Sequence, residues 1–137
     1  MIIDMHCDTI SEIRHRRTLE GETCRLEENT LHIDARRLKD SGYLLQCFAL
    51  FVSLRGCGAL REQGEQPSVS RQDLAWEEVQ ELYRVYRQEL ECCGKLLQSV
   101  ESTEDLEQCR RTGKVGALLT VEEGGVCGGS LDRLGEL

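Results

Sequence analysis

Residues 43–53 read YLLQCFALFVS, an almost continuously apolar run bounded by Gly42 and Gly56. The run has strand length, and a strand with one solvated face would alternate apolar with polar positions instead. It therefore predicts a strand buried on both faces, as in a parallel sheet covered by helices. A second run of this kind, VGALLTV at residues 115–121, follows Gly113. A third predicted strand opens the chain from Ile2 to Cys7. Its alternation sends Asp4, His6 and Asp8 to one face and Ile3, Met5 and Cys7 to the other.

Helical signals separate these strands. Residues 10–17 predict a short helix and Gly21 to Asn29 a polar loop. Leu31 to Lys39 predict a helix that ends at Ser41-Gly42, where glycine supplies a C-terminal cap. Gly56 to Pro67 predicts a loop. From Ser70, an N-cap with Asp73 three residues on, a helix is predicted to about Cys93. Leu82, Tyr83, Tyr86, Leu90, Cys93 and Leu97 recur at helical spacing, the pattern of a stripe packed on a sheet. Thr103 is the expected cap of a helix running to Arg111. Ser130 caps a last helix with Leu131, Leu134 and Leu137 on one side, and the sequence stops in mid-pattern. This order of elements implies right-handed parallel crossovers and an α/β fold.

Composition narrows the function classes. The 137 residues match one ordinary domain in size. Seventeen Lys and Arg stand against 25 Asp and Glu, a net charge of −8 with no basic stripe. Nucleic acid and anionic membrane surfaces are therefore poor partners, since both need clustered cations. No apolar run approaches the roughly 20 residues of a membrane span. The opening Met1-Ile2-Ile3-Asp4 lacks the features of a secretory signal, so the expected location is the cytoplasm. The eight cysteines contain no C-x-x-C pair, which leaves a four-cysteine zinc site or a thioredoxin-type site without support. They are expected to be small, buried or half-buried thiols.

Two clusters carry chemistry. His6 and Asp8 stand two apart at the C-terminal end of the first strand, where parallel sheets place their active sites. Imidazole and carboxylate suit zinc and other divalent first-row metals. H-x-D alone is a weak signal, and a solvated strand end with a capping Asp reads equally well. Glu122 and Glu123 follow the third apolar strand, before Gly124 and Gly125, which permit a tight exit. A carboxylate there could bridge two metals and lower the pKa of a shared water; two exposed acids at a strand end is the plainer alternative. His15 falls in the basic stretch Arg14-His15-Arg16-Arg17, a solvated helix face, and His32 reads as a packed or capping residue.

Taken together these segments resemble the N-terminal part of the membrane dipeptidase family. The resemblance rests on IIDMHCDT at 2–9, LLQCFALFV at 44–52, and LLTVEEGG at 118–125 followed by GGSL at 128–131. Order, spacing and strand context agree over essentially the whole chain. The resemblance implies a zinc-dependent peptidase with a (β/α)8 barrel-type fold and a two-metal site. It implies that His6 and Asp8 ligate the first zinc. Glu122 would bridge both metals, with Glu123 as the alternative, and Asp4 would orient His6. The implied reaction is hydrolysis of a dipeptide by metal-activated water.

Family members are more than twice as long, and the histidines that complete their second zinc site lie on later strands. A barrel of this class takes about 250 residues. Residues 1–137 are accordingly expected to be an incomplete, N-terminal portion of one barrel domain, about its first three βα units. Such a truncated chain is expected to have little dipeptidase activity alone. The alternative is a non-catalytic metal-binding or self-associating half-barrel module, partnered by a second copy or by the missing C-terminal half.

Overall fold

The computed structural model describes residues 1–54 and 70–137; the predicted Gly56–Pro67 loop and Cys57 lie outside the described residues. The chain folds as an α/β protein around a four-stranded parallel sheet. Its strands are β1 (Ile2–Asp4), β2 (Tyr43–Leu50), β3 (Leu97–Ser99) and β4 (Val115–Val121), in the spatial order β1-β2-β4-β3. Helices α1 (Thr9–His15), α2 (Ala35–Asp40), α3 (Arg71–Cys92), α4 (Thr103–Thr112) and α5 (Leu131–Glu136) connect and cover it.

The two apolar runs form the centre of the sheet. β2 pairs with β4 from Leu45↔Gly116 to Leu50↔Val121. Every residue of β2 after Tyr43 is buried, as its lack of alternation predicts. Phe48 is fully buried at the middle of the larger core cluster, which also takes Ile10 and Ile13 of α1, Leu38 of α2 and Val79, Leu82 and Tyr86 of α3. The rings of Phe48 and Tyr86 lie 5.9 Å apart and tilted, a geometry worth about 0.5–1.5 kcal/mol beyond area burial. A smaller cluster seats Cys109 of α4 against Leu44, Leu45 and Val100. Gly116 makes that contact possible, because a Cβ there would meet Val100 Cγ2 at 2.8 Å and Leu45 Cδ1 at 2.9 Å.

The structure corrects the expected elements in several places. β1 stops at Asp4 rather than Cys7, because the chain must turn into α1, whose first backbone bond runs from Glu12 N–H to Asp8 C=O at 3.1 Å. Contact with β2 still continues, the Ala49 amide donating to the Cys7 carbonyl at 3.0 Å. Among the described residues β1 pairs on one side only, and Ile3 and Met5 are 50 % and 70 % exposed, so the opening strand is an edge of the described sheet. β3 was not foreseen: three residues are too few to show a period. Leu97 belongs to it, not to the stripe of α3, which ends at Cys92.

Helix α2 begins at Ala35, not Leu31, because the extended backbone of Asp34 makes it the N-cap, its side chain accepting from the Arg37 amide at 2.8 Å. Helix α4 is capped by Ser102, not Thr103. Ser102 and Asp105 form a reciprocal capping box, while the Thr103 hydroxyl donates to Glu104. Ser70 caps α3 and Ser130 caps α5 as expected, though Leu131 and Leu134 of α5 face solvent. The basic stretch is not a solvated face. Arg14 pairs with Glu81 at 3.1 Å, Arg16 with Glu12 at 3.1 Å and Glu22 at 3.2 Å, and Arg17 with the buried Glu89 at 2.6 Å; only His15 of the four is exposed.

The described cysteines are unpaired, and all but Cys92 are buried. Burial raises the thiols of Cys7, Cys24, Cys47 and Cys109 and pushes Cys93 up to about 12, so these are inert packing groups.

Candidate metal centre

All four strands run parallel, so their C-terminal ends share one edge of the sheet. His6 and Asp8 follow β1 there, and Glu122 follows β4. Between them stands β2, which ties both sides to one level. Cys7 is bonded to Ala49, and the Glu122 amide donates to the Leu50 carbonyl at 3.4 Å. Strands are spaced about 4.8 Å apart, which puts β1 and β4 roughly 10 Å from each other. Only long side chains cross that gap, and they do so over the end of β2: His6 Nδ1 lies 3.9 Å from Glu122 Oε2.

On the other side of the ring, His6 Nε2 lies 3.1 Å from Asp8 Oδ2. Asp8 stands at the N-cap of α1, yet its side chain accepts no capping bond. An N-cap aspartate ordinarily satisfies a free amide of the first turn; this one faces the imidazole instead. Asp4 accepts a hydrogen bond from the backbone amide of His6 at 3.3 Å. It thus steadies His6 through the main chain, and the ring takes its orientation from Asp8 and Glu122.

Three carboxylates around one imidazole favour its protonated form. The Asp8 hydrogen bond raises the His6 pKa most; desolvation opposes it, and attraction from the charges of Asp8, Glu122 and Asp4 adds to the rise. The side chains of His6, Asp8 and Glu122 are about half exposed. Ion pairs this exposed are screened by water and contribute little, so stability is a weak reason for the arrangement. Metal binding is a stronger one. One ligand atom from each of the three residues lies within 4.8 Å of the others, the one such group among the described residues. An imidazole nitrogen and two carboxylate oxygens match the preferences of zinc, and the carboxylates offset a divalent charge.

Of the predicted residues, the structure brings His6, Asp8 and Glu122 together and keeps Asp4 behind them. Glu123 is not part of the group; it is the residue from which the chain enters a 3-10 turn at Gly124–Cys127. That exit depends on Gly125, where a Cβ would meet Leu54 Cδ1 at 2.7 Å. His15 is not part of the group. His32 is neither packed nor capping: it is exposed, on the wall of a cleft that His6 and Asp8 also line. Asp34, a stronger cap two residues on, was the signal that His32 precedes its helix.

The sequence model of the membrane dipeptidase family (peptidase family M19) matches residues 1–137, the whole chain. The chain belongs to the membrane dipeptidase family. Membrane dipeptidases are zinc-dependent hydrolases of the dipeptidase type, which agrees with the donor set at the strand ends. No curated protein matches this chain. The family name notwithstanding, no helix among the described residues is long and apolar enough to cross a membrane.

Proposed function

We propose that residues 1–137 form the first-metal portion of a zinc-dependent dipeptidase centre, with His6, Asp8 and Glu122 as metal ligands. The observation that supports this reading best is the meeting of His6 and Asp8 with Glu122 across β2, from opposite ends of the sequence. Bound zinc would supply Lewis acidity and an acidified water. The chain's own residues do the preparation. His6 offers one ring nitrogen once its proton leaves, Asp8, 3.1 Å from Nε2, orients the ring, and Asp4 holds the His6 backbone amide. In this reading Glu122, not Glu123, is the carboxylate shared with a second metal.

Three of the four strands, β1, β2 and β4, lie side by side in chain order with the candidate ligands at their C-terminal ends. That supports the start of a (β/α)8 barrel, in which β3 is an addition outside the series. The sequence has no histidine after His32, so these residues carry nitrogen donors for one metal only. We therefore expect one zinc per chain and little or no dipeptide turnover by the 137 residues alone. Calorimetric titration with zinc and a dipeptide hydrolysis assay test both points. One site of micromolar or tighter affinity that is lost in His6→Ala is the expected result. Undiminished zinc binding by His6→Ala, or brisk zinc-dependent hydrolysis by the wild-type chain, would overturn the reading.

A second reading, self-association of a non-catalytic module, draws on the open edge of β1 with exposed Ile3 and Met5. Light scattering separates the two: a stable, monodisperse dimer whose formation is blocked by Ile3→Lys would favour it.

A further inference from the structure

Beside the candidate metal group lies a cleft of about 600 Å3, lined by His6 and Asp8 on one side and by residues 30–33 on the other. That volume is in the range of small-ligand sites. The wall formed by Thr30, Leu31, His32 and Ile33 has no regular secondary structure, yet it is heavily fixed. The carboxylate of Asp34, 2 % exposed, accepts from the Asn29 amide at 3.4 Å and from Arg37 Nε at 2.6 Å. Arg37 Nη2 in turn donates to the carbonyls of Leu31 and Asn29. The Asn29 side chain closes the turn by accepting from the Leu31 amide at 2.8 Å. A wall held from both ends in this way presents its side chains in one arrangement, and little ordering is left for a ligand to impose.

The charge in the cleft is already spoken for. Glu12 and Arg16 line it, but they pair with each other, and Arg16 also binds Glu22. What remains for a ligand is the hydroxyls of Thr9 and Thr30, the side chains of Leu31 and Ile33, and the exposed imidazole of His32. We propose that this cleft receives the uncharged side chain of a dipeptide whose amide lies at the metal group, and that the 30–33 wall sets this preference. The proposal rests on the metal reading above. With His6 and Asp8 given to the metal, a charged side chain would meet, among the described residues, only the apolar wall and the already paired Glu12 and Arg16. His32, at the rim, suits a hydrogen bond to the dipeptide backbone or to an amide side chain.

The test uses the zinc-loaded 137-residue chain and measures dipeptide binding by calorimetry and by NMR of the histidine rings. Leu-Gly is expected to bind at least tenfold more tightly than Glu-Gly or Lys-Gly and to shift the His32 resonances. Thr30→Glu and His32→Ala, both at exposed positions, are expected to weaken Leu-Gly at least fivefold while leaving zinc affinity within twofold. Equal affinities for the three dipeptides, unaltered Leu-Gly binding in both variants, or no measurable dipeptide binding to the zinc-loaded chain would each overturn the proposal. Loss of zinc binding itself in the wild type would instead strike the metal reading, so the two failures are distinguishable.

Discussion

The carboxylate of Glu89 in α3, 1 % exposed, lies 2.6 Å from Arg17 Nη2 in the turn that follows α1. The same carboxylate accepts from the Leu26 amide at 2.6 Å and faces Arg25 Nε at 3.3 Å. One buried anion thus ties α3 to the end of α1 and to the loop after it. Removing it would leave the buried Leu26 amide without its acceptor and Arg17 Nη2 without its carboxylate, while Arg17 Nε keeps the Cys24 carbonyl. Glu89→Ala is expected to cost about 3 kcal/mol, the lower end for a broken buried pair because Arg17 keeps some solvent. Glu89→Gln, which still accepts the Leu26 amide, should cost less. Urea midpoints at unchanged m-value check both, and a Glu89→Ala midpoint equal to wild type would show that the network carries no stability.

The roles of the two adjacent glutamates separate in zinc affinity. Glu122→Ala should weaken zinc by more than the 10- to 100-fold that outer partners of a metal site are worth. Glu123→Ala should change it by less than threefold. Asp4→Ala, which frees the His6 amide, belongs in the outer class, at about tenfold. Competition titrations against a chelator give the three values, and a larger loss in Glu123→Ala than in Glu122→Ala would reverse the assignment.

Gly116 is where β4 is approached most closely. The nearest atoms to an added Cβ are Val100 Cγ2 at 2.8 Å, Leu45 Cδ1 at 2.9 Å and the Leu44 carbonyl at 3.2 Å. The last is backbone and cannot move aside cheaply. Gly116→Ala should therefore destabilise by about 1–3 kcal/mol, as overpacking does, whereas Gly124→Ala, with open space around it, should be near neutral. Thermal unfolding of the two variants makes the comparison.

Acid should loosen the starts of α3 and α4. Hydrogen bonds from Arg133 and then Ser70 hold Asp73 below the usual carboxylate range, and those from the Ser102 hydroxyl and the Glu101 and Ser102 amides do so for Asp105. With the folded pKa below the unfolded one, the stabilisation is complete above the ordinary Asp value of about 3.9 and is lost as pH falls through the folded value. Urea midpoints from pH 5 to pH 2 should drop less steeply in Asp105→Asn than in wild type. Parallel curves would show that the capping box has no share in acid stability.

The apolar runs made β2 and β4 legible, since unbroken burial leaves an unbroken pattern. The cap residues Ser70 and Ser130 were legible for a local reason, a side chain bonding its own helix. β3 was not, because Leu97–Ser99 is held by pairing with β4 and has no period of its own. Glu89 was not legible either. It shares the stripe of α3 with the buried Leu82 and Tyr86, where an apolar residue is expected, and only the arrival of Arg17, Arg25 and the Leu26 amide from far along the chain makes a buried carboxylate tolerable there. The candidate site falls between these cases. His6 and Asp8 could be singled out from spacing, but the choice of Glu122 over Glu123 depends on which side chain leans across β2.

β2 supplies no ligand, yet it stands between the two strands that do. His6 and Glu122 come from nearly opposite ends of the sequence, so their meeting requires closing almost the entire chain, with both β1–β2 and β2–β4 pairings in place. Contacts of such large sequence separation are the slow ones in folding. A metal captured there would reward only the finished topology and none of the partial ones, and it would add its binding free energy to the native state by mass action. Zinc uptake followed in time during refolding would thus serve as a clock for the last pairing event, read from the metal rather than from the backbone.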